Sequence, residues 1–576
     1  MQYEKIQKYA IDLFGSSFEF REGQLEAINS IIENVVSNIK QTVLEAPTGS
    51  GKSIIALLAA YVLYREYGKK SYVLVSDLSL FDQYVNDIKN LEDVECFGYI
   101  KGKENYTCYV NGCKVSQSKC SLQGLSITAT AYAGWKRGLG CAYHCKYVQE
   151  YRKATQAPIT LMTYQLYFIQ RNYVEDLIYN GKNPHFPKRD LVICDECHKI
   201  CDICQSHFAP RISIDRPYWM KVLDKYCHSG LDERERINII GKIELSADND
   251  ELLDAVNEYG QYLEHYCRIN IEIRSRLSKS KYLMKHDKEA LAAGNQARQE
   301  HCKIADMVSF VKELKSSEYI VKTTLGNDIT INFVFDNLML KKYFHEKSDC
   351  ELLMSATVGD FNEYASLAGL DENTFKTLSM KSTFDFSNSP IYVSDDNRMS
   401  AGLKHQSIKT ISRQVVEICR SYAGMRGIIQ TGSYMNSEEL KRSLPKDVSK
   451  RCIFYSNNTE KKLALDTYMS TNDTILIGPT LIEGLNFPDD LCRFQICIKV
   501  PYAFLGSEYV RKRMQYVDGW YAYDAVTKIC QGIGRGIRHK NDWCKTYILD
   551  GCIMDILNKL ENIDVLSMRF KLFESK

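Results

Sequence analysis

Short apolar runs, each opening onto a polar turn, recur along the chain: QTVLEAPTGSGKS, SYVLVSDLS, PITLMTY, DLVICDECH and CELLMSATVGD in the first two-thirds, then GIIQTGS, TILIGPT and FQICIKVPY. Continuous rather than alternating apolar character marks strands buried on both faces, as in parallel sheets. Apolar helical segments such as SIIALLAAYVLYREYG follow several of these runs. The pattern predicts an α/β fold with two doubly wound parallel sheets. Between Cys204 and about Tyr343 it changes to long, charge-rich stretches of helical spacing, including LLDAVNEYGQYLEHYCRINIEIRSRL and DKEALAAGNQARQEHCKIADMVSFVKEL, which predict an inserted helical domain.

At 576 residues the chain exceeds what one core supports, and about three or four domains are expected. No segment approaches the ~20 apolar residues of a membrane span, so no membrane partner is expected. The opening MQYEKIQKYAIDLF is amphipathic and of mixed charge, unlike a secretory signal; it predicts a helix of a cytoplasmic or nucleoid-associated protein that is not secreted. A net charge of +2 gives no bulk sign of nucleic acid, so any basic track is local. In a reducing compartment 21 cysteines are not a disulfide framework, and clustered ones favour metal ligation.

Two motifs carry chemistry. Ala46, Pro47, Thr48, Gly49, Ser50, Gly51, Lys52 and Ser53 lie between the run TVLE and an apolar helix. Glycines there let backbone N–H groups close around phosphate oxygens, and the helix N-terminus adds partial positive charge. Lys52 would neutralise the terminal phosphates of ATP and Ser53 would ligate Mg2+. Asp195 and Glu196, in Asp195-Glu196-Cys197-His198, emerge at the end of the run DLVIC. Asp195 would hold Mg2+, and Glu196 would orient or deprotonate the attacking water.

With these blocks in series the chain resembles a superfamily 2 helicase, and specifically the iron-sulfur branch that contains XPD and DinG. The resemblance implies two RecA-like motor domains. Phe20-Arg21-Glu22-Gly23-Gln24 is similar to that branch's adenine-side motif, with Gln24 reading the base edge and Arg21 supporting it; the plainer reading of Gln24 is a surface helix residue. Ser355-Ala356-Thr357 resembles the motif that couples hydrolysis to strand movement. Gln531 opens Gln531-Gly-Ile-Gly-Arg535-Gly-Ile-Arg538, which is similar to the arginine-finger helix, with Arg538 the first choice for the finger and Arg535 the second. Glu483 and Gly484 resemble the nucleotide-sensing block, although Asn486 stands where the family commonly has Asp. Thr431 and Ser433 are further candidate phosphate contacts.

The resemblance also bears on the cysteines. Gly102-x-x-Asn105-Tyr106-x-Cys108 and Cys145-x-Tyr147 resemble the entrance and exit of the family's cluster, which implies Cys108, Cys120, Cys141 and Cys145 as ligands and leaves Cys113 over. Four thiolates suit a 4Fe-4S cluster or zinc, and family likeness favours iron. Tyr106, Tyr109, Tyr132, Trp135, Lys136, Arg137 and Tyr143 are of the type that stacks bases and holds phosphates, or they simply pack around the cluster. A second group, Cys194, Cys197, Cys201 and Cys204, reads as buried free cysteine rather than a zinc ribbon, because Cys194 lies on a strand and Cys197 beside the ATP carboxylates.

The division expected is 1–100, 151–205 and 343–385 for the first motor domain, 101–150 for the cluster domain, 206–342 for an arch-like helical insertion and 386–576 for the second motor domain. The expected activity is an ATP-dependent helicase on single-stranded DNA and on forked or tailed duplex, moving 5'-to-3' by family likeness, in replication, recombination or repair, with a possible loading or single-strand-binding protein partner. The alternatives are an RNA helicase of the DEAH type and an ATP-gated clamp or assembly subunit that does not unwind.

Overall fold

The computed structural model describes residues 3–47, 49–122, 144–174, 185–227, 232–277, 283–371, 374–381, 386–395, 397–400, 404–479, 487–533, 542–557 and 570–572. The chain enters a first sheet through β1 (Gln41–Glu45), β2 (Ser71–Val75), β3 (Phe97–Tyr99), β4 (Ile159–Thr163) and β5 (Leu191–Asp195). It then forms β6 (Arg211–Ser213), β7 (Ile320–Leu325) and β8 (Asp328–Phe333), returns to the first sheet with β9 (Cys350–Ser355) and β10 (Lys376–Ser379), and builds a second sheet from β11 (Ile391–Val393), β12 (Gly427–Gln430), β13 (Cys452–Phe454), β14 (Ile475–Gly478), β15 (Phe494–Cys497), β16 (Lys545–Ile548) and β17 (Phe570–Leu572).

The first sheet has the order β10-β1-β9-β5-β2-β4-β3 and the second β13-β14-β12-β15-β16-β11-β17, with parallel pairing throughout both. Strands β2, β5 and β9 are buried at every position, as continuous apolar runs between two helical layers require. The helix Lys52–Tyr67 is likewise buried on nearly all sides, sealed between the sheet and its neighbours. Register places the ends of three strands side by side, because Glu45 pairs with Ser355 and Asp195 with Met354. In a parallel sheet that carboxyl-end edge is where ligands bind.

The stretch expected to be a purely helical insertion differs from expectation. Its long helices Asn249–Leu277 and Lys285–Leu314 pack against each other, but β6, β8 and β7 form an antiparallel sheet beside them. The turn of its β7–β8 hairpin holds Gly326 at φ 60°, which suits glycine. Among the described residues, no helix is long and apolar enough to cross a membrane.

Candidate functional site

The phosphate loop is tied down at its first residue, where Ala46 N donates to Ser355 O at 2.9 Å. Gly49 and Gly51 hold φ 85° and 80°, so the chain wraps back and Gly51 starts the helix Lys52–Tyr67. That N-terminus offers free amides and the positive end of the helix dipole. Ser50 Oγ is buried with no hydrogen-bond partner among the described residues. An orphaned hydroxyl beside a glycine-led helix N-terminus fits the oxygens of a triphosphate.

Gln24 and Arg21 brace this loop from outside. Gln24 is fully buried; its Nε2 donates to Ser50 O at 2.7 Å and its Oε1 accepts from Arg21 N at 2.8 Å. The Arg21 guanidinium donates to Gly49 O. A Cβ at Gly51 would stand 2.5 Å from Gln24 Nε2, so the glycine lets the amide approach. Gln24 is therefore no surface residue, and its amide is engaged by the loop. Gln24→Ala leaves Ser50 O buried without its donor, which costs about 1–3 kcal/mol. We expect KM for ATP to rise about tenfold in steady-state ATPase assays, with kcat changed far less.

At the end of β5, Asp195 is 2% exposed; its Oδ2 accepts from Tyr84 Oη at 2.8 Å and its Oδ1 from Glu196 N at 2.9 Å. Burial pushes its carboxyl up to about 6 against the pull of the Lys52 ammonium. Glu196 has φ 54°, a left-handed conformation that costs a non-glycine residue about 1–3 kcal/mol and that recurs at functional sites. It carries the carboxylate to 3.9 Å from Lys52 Nζ and 3.4 Å from His198 Nδ1. His198 Nδ1 in turn lies 2.8 Å from Ser355 Oγ, which donates to Thr357 O at 2.9 Å. A continuous path of polar contacts thus runs from the phosphate loop through the carboxylates to the Ser355-Ala356-Thr357 segment. The Ser53 hydroxyl bonds to Asp87, whose carboxyl burial pushes up.

Sequence reasoning missed Tyr84 and Asp87. Both lie on the helix Leu78–Lys89, whose amphipathic pattern gives no chemical signal. Gln531 is half-buried on the helix Trp520–Ile533. Thr431 Oγ1 is engaged locally, 2.6 Å from Ser437 Oγ, and Ser433 caps the helix Tyr434–Ser443. Thr48, Cys141, Glu483, Gly484, Arg535 and Arg538 lie outside the described residues, as do Tyr132, Trp135, Lys136, Arg137, Tyr143 and Asn486.

Of the four expected cluster ligands, Cys108, Cys120 and Cys145 are described. Burial pushes the Cys145 thiol up, and the neighbouring Cys120 and Cys108 sulfurs push in the same direction. Cys145 also begins the helix Lys146–Gln156. Cys113 Sγ lies 3.0 Å from Asn111 Oδ1 and 3.2 Å from Lys114 O, either of which can accept its one S–H. The donor chemistry suits a thiolate-bound metal, although among the described residues no three ligands stand close enough to hold one. Tyr106 is buried with its hydroxyl on Glu150, a packing role, whereas Tyr109 is 63% exposed and stacks on His144. Cys194, Cys197 and Cys204 are buried free thiols.

Comparison with known proteins agrees with this geometry. The model of the helicase C-terminal domain matches residues 407–560, and that of the type III restriction enzyme res subunit matches 17–225. A probable ATP-dependent helicase MJ0942 of Methanocaldococcus jannaschii is 21% identical, over 95% of both chains. The ATP-dependent DNA helicase YoaA of Haemophilus influenzae is 22% identical, over 91% of this chain and 90% of its own. A solved XPD helicase superposes with a TM-score of 0.60 at 18% identity, over 96% of this chain and all of that one. S. tokodaii Xpd4 superposes at 0.55 and 15% identity over the same shares. The two matched domains, with the phosphate loop and paired carboxylates at the edge of the first sheet, define an ATP-hydrolysing helicase. Within that class the chain is XPD/DinG-like.

Proposed function

We propose that the chain is an ATP-dependent DNA helicase that translocates 5'-to-3' on single-stranded DNA and opens forked or tailed duplex during replication, recombination or repair. The observation that carries the reading is the alignment of Lys52, Asp195, Glu196, His198 and Ser355 along one sheet edge, where hydrolysis has a direct polar path to the strand-coupling segment. Lys52 and the loop amides hold the phosphates, Glu196 activates water, and Gln531, Arg535 and Arg538 close on the nucleotide from the second motor domain. Glu483 and Gly484 sense its state. Bound Mg2+, held by Ser53 and Asp195, would neutralise phosphate charge; the Ser53 hydroxyl can keep donating to Asp87 while its oxygen lone pair faces the metal.

In this reading residues 101–150 form a cluster domain in which Cys108, Cys120, Cys141 and Cys145 hold a 4Fe-4S cluster as a rigid staple for a segment with little core of its own. Residues 206–342 form the arch, and the two motor domains take 1–100, 151–205 and 343–385, and 386–576. A reducing compartment such as the cytoplasm would keep the 21 cysteines available as thiols and cluster ligands. A loading or single-strand-binding partner would bring the motor to its substrate.

The test is purification without oxygen, iron and zinc analysis, and displacement assays on 5'-tailed and 3'-tailed duplexes with ATP. A brown protein with about four irons that unwinds from the 5' tail supports the reading. In Cys145→Ser the visible absorption should be lost, and unwinding should fall at least about tenfold. A colourless zinc protein unwinding only from a 3' tail would sink the iron and polarity assignments. ATP hydrolysis with DNA binding but no displacement would point to the clamp.

A further inference from the structure

The helix Trp520–Ile533, which leads to Arg535 and Arg538, is docked on the helix Phe361–Ala368 and the segment before it by apolar packing of Trp520 with Leu367 and by the Tyr523 side chain. Tyr523 Oη donates to Val358 O at 2.6 Å. Gly359, next along, has φ 77°, and a Cβ there would lie 3.5 Å from Tyr523 Cε2, so the ring packs on a bare backbone. Just before this helix, Gly519 approaches the helix Phe361–Ala368 so closely that a Cβ would stand 2.4 Å from Glu363 Oε2. Val358 and Gly359 directly follow the Ser355-Ala356-Thr357 segment.

The same two residues turn their backbone amides toward the Glu45 carboxylate. Glu45 ends β1, pairs in register with Ser355, and immediately precedes the phosphate loop. Burial pushes its carboxyl up to about 7, opposed by those amides. Tyr523 lies within electrostatic reach of Glu45 across the domain boundary. A displacement of the phosphate loop therefore has a short route through one carboxylate and one two-residue backbone segment to the helix that precedes the candidate arginine fingers in sequence.

We infer that Glu45 and Tyr523 are positioning residues which, through Val358 and Gly359, transmit phosphate-loop occupancy to the helix Trp520–Ile533 and so couple nucleotide state to closure of the two motor domains. The link rests on the motor reading above. Neither side chain touches the nucleotide in this scheme; each acts by fixing the segment between them. Coupling of this kind requires a two-state element that both sites bias, and in this scheme opening and closing of the motor-domain cleft take that role.

The test uses the full chain. ATP kcat and KM are measured with and without a poly-dT oligonucleotide, and oligonucleotide affinity is measured without nucleotide and with ADP plus beryllium fluoride. Tyr523→Phe removes one hydroxyl. KM for ATP should stay within about twofold, oligonucleotide-stimulated kcat should fall about tenfold, and the affinity difference between nucleotide states should collapse. A Tyr523→Phe protein with wild-type stimulation and a wild-type affinity difference overturns the inference. Should that variant fail to fold, Glu45→Gln, which keeps size and removes charge, decides by the same readouts and in the same directions. A wild-type protein whose ATPase ignores the oligonucleotide overturns the motor reading itself, and the inference with it.

Discussion

Glu196→Gln is expected to bind ATP as the wild type does and to hydrolyse it about 10^2- to 10^4-fold more slowly. The carboxylate stands 3.9 Å from Lys52 Nζ on a left-handed backbone that fixes its direction, while Asp195 beside it is sealed by Tyr84 and by the Glu196 amide. Two adjacent carboxylates thus have different surroundings, and only the outer one, with its side chain 27% exposed, is placed to meet water. An amide of the same shape retains a contact to His198 and the backbone geometry, but it cannot take a proton. Lys52 and the loop amides are untouched, so affinity for a fluorescent ATP analogue should change less than about threefold, with the loss confined to kcat. Turnover reduced only a few-fold would remove Glu196 from the role of base. Binding lost together with turnover would mean that the Lys52–Glu196 contact holds the loop in shape.

What was legible in the chain follows from where its information is local. TVLE, DLVIC and CELLM read as buried parallel strands because each is covered on both faces, and all three lie side by side in the first sheet. The phosphate loop was legible because lysine and serine follow glycines at the mouth of a helix. The hairpin β7–β8 was hidden inside a charge-rich helical stretch, although its second strand DITINF alternates and Gly326-Asn327 stands at the turn. Gln24 could be placed near the nucleotide but not against Ser50 O, since that contact exists only once the loop folds back. Tyr84, Glu45 and Tyr523 gave no signal for a similar reason. Their partners, Asp195, Val358 with Gly359, and Val358, are distant in sequence and are brought close by strand register and domain docking.

The joint between the inserted stretch and the second half of the chain carries the largest expected effect on stability. Asp336 opens the helix Asp336–Tyr343 after the antiparallel sheet, and its Oδ2 pairs with Arg513 Nη2 of the helix Glu508–Tyr516 in the second half of the chain. Their side chains are 2% and 4% exposed. The guanidinium lies 4.2 Å from the Trp520 ring centroid, and its Nη1 donates to Tyr509 Oη at 2.7 Å. Lys512 Nζ donates to Asn249 Oδ1 at 3.1 Å nearby, so the long helical insertion is held at the same joint. Burial pushes the Asp336 carboxyl up to about 6 while Arg513 pulls it back. A carboxyl can take up a proton when stranded, but a guanidinium cannot discharge. Asp336→Ala therefore leaves a buried, unpaired cation, and a cost of about 3–5 kcal/mol is expected. The double change Asp336→Leu with Arg513→Met removes both charges and should be much milder, because apolar pairs of similar volume replace buried ion pairs at little or no cost. Denaturant unfolding followed by circular dichroism should show an earlier transition for the single variant, split into two where the halves separate, and a transition near the wild-type midpoint for the double. A single variant as stable as the double would mean that water reaches Arg513 once the carboxylate is gone, and that the two halves are held together elsewhere.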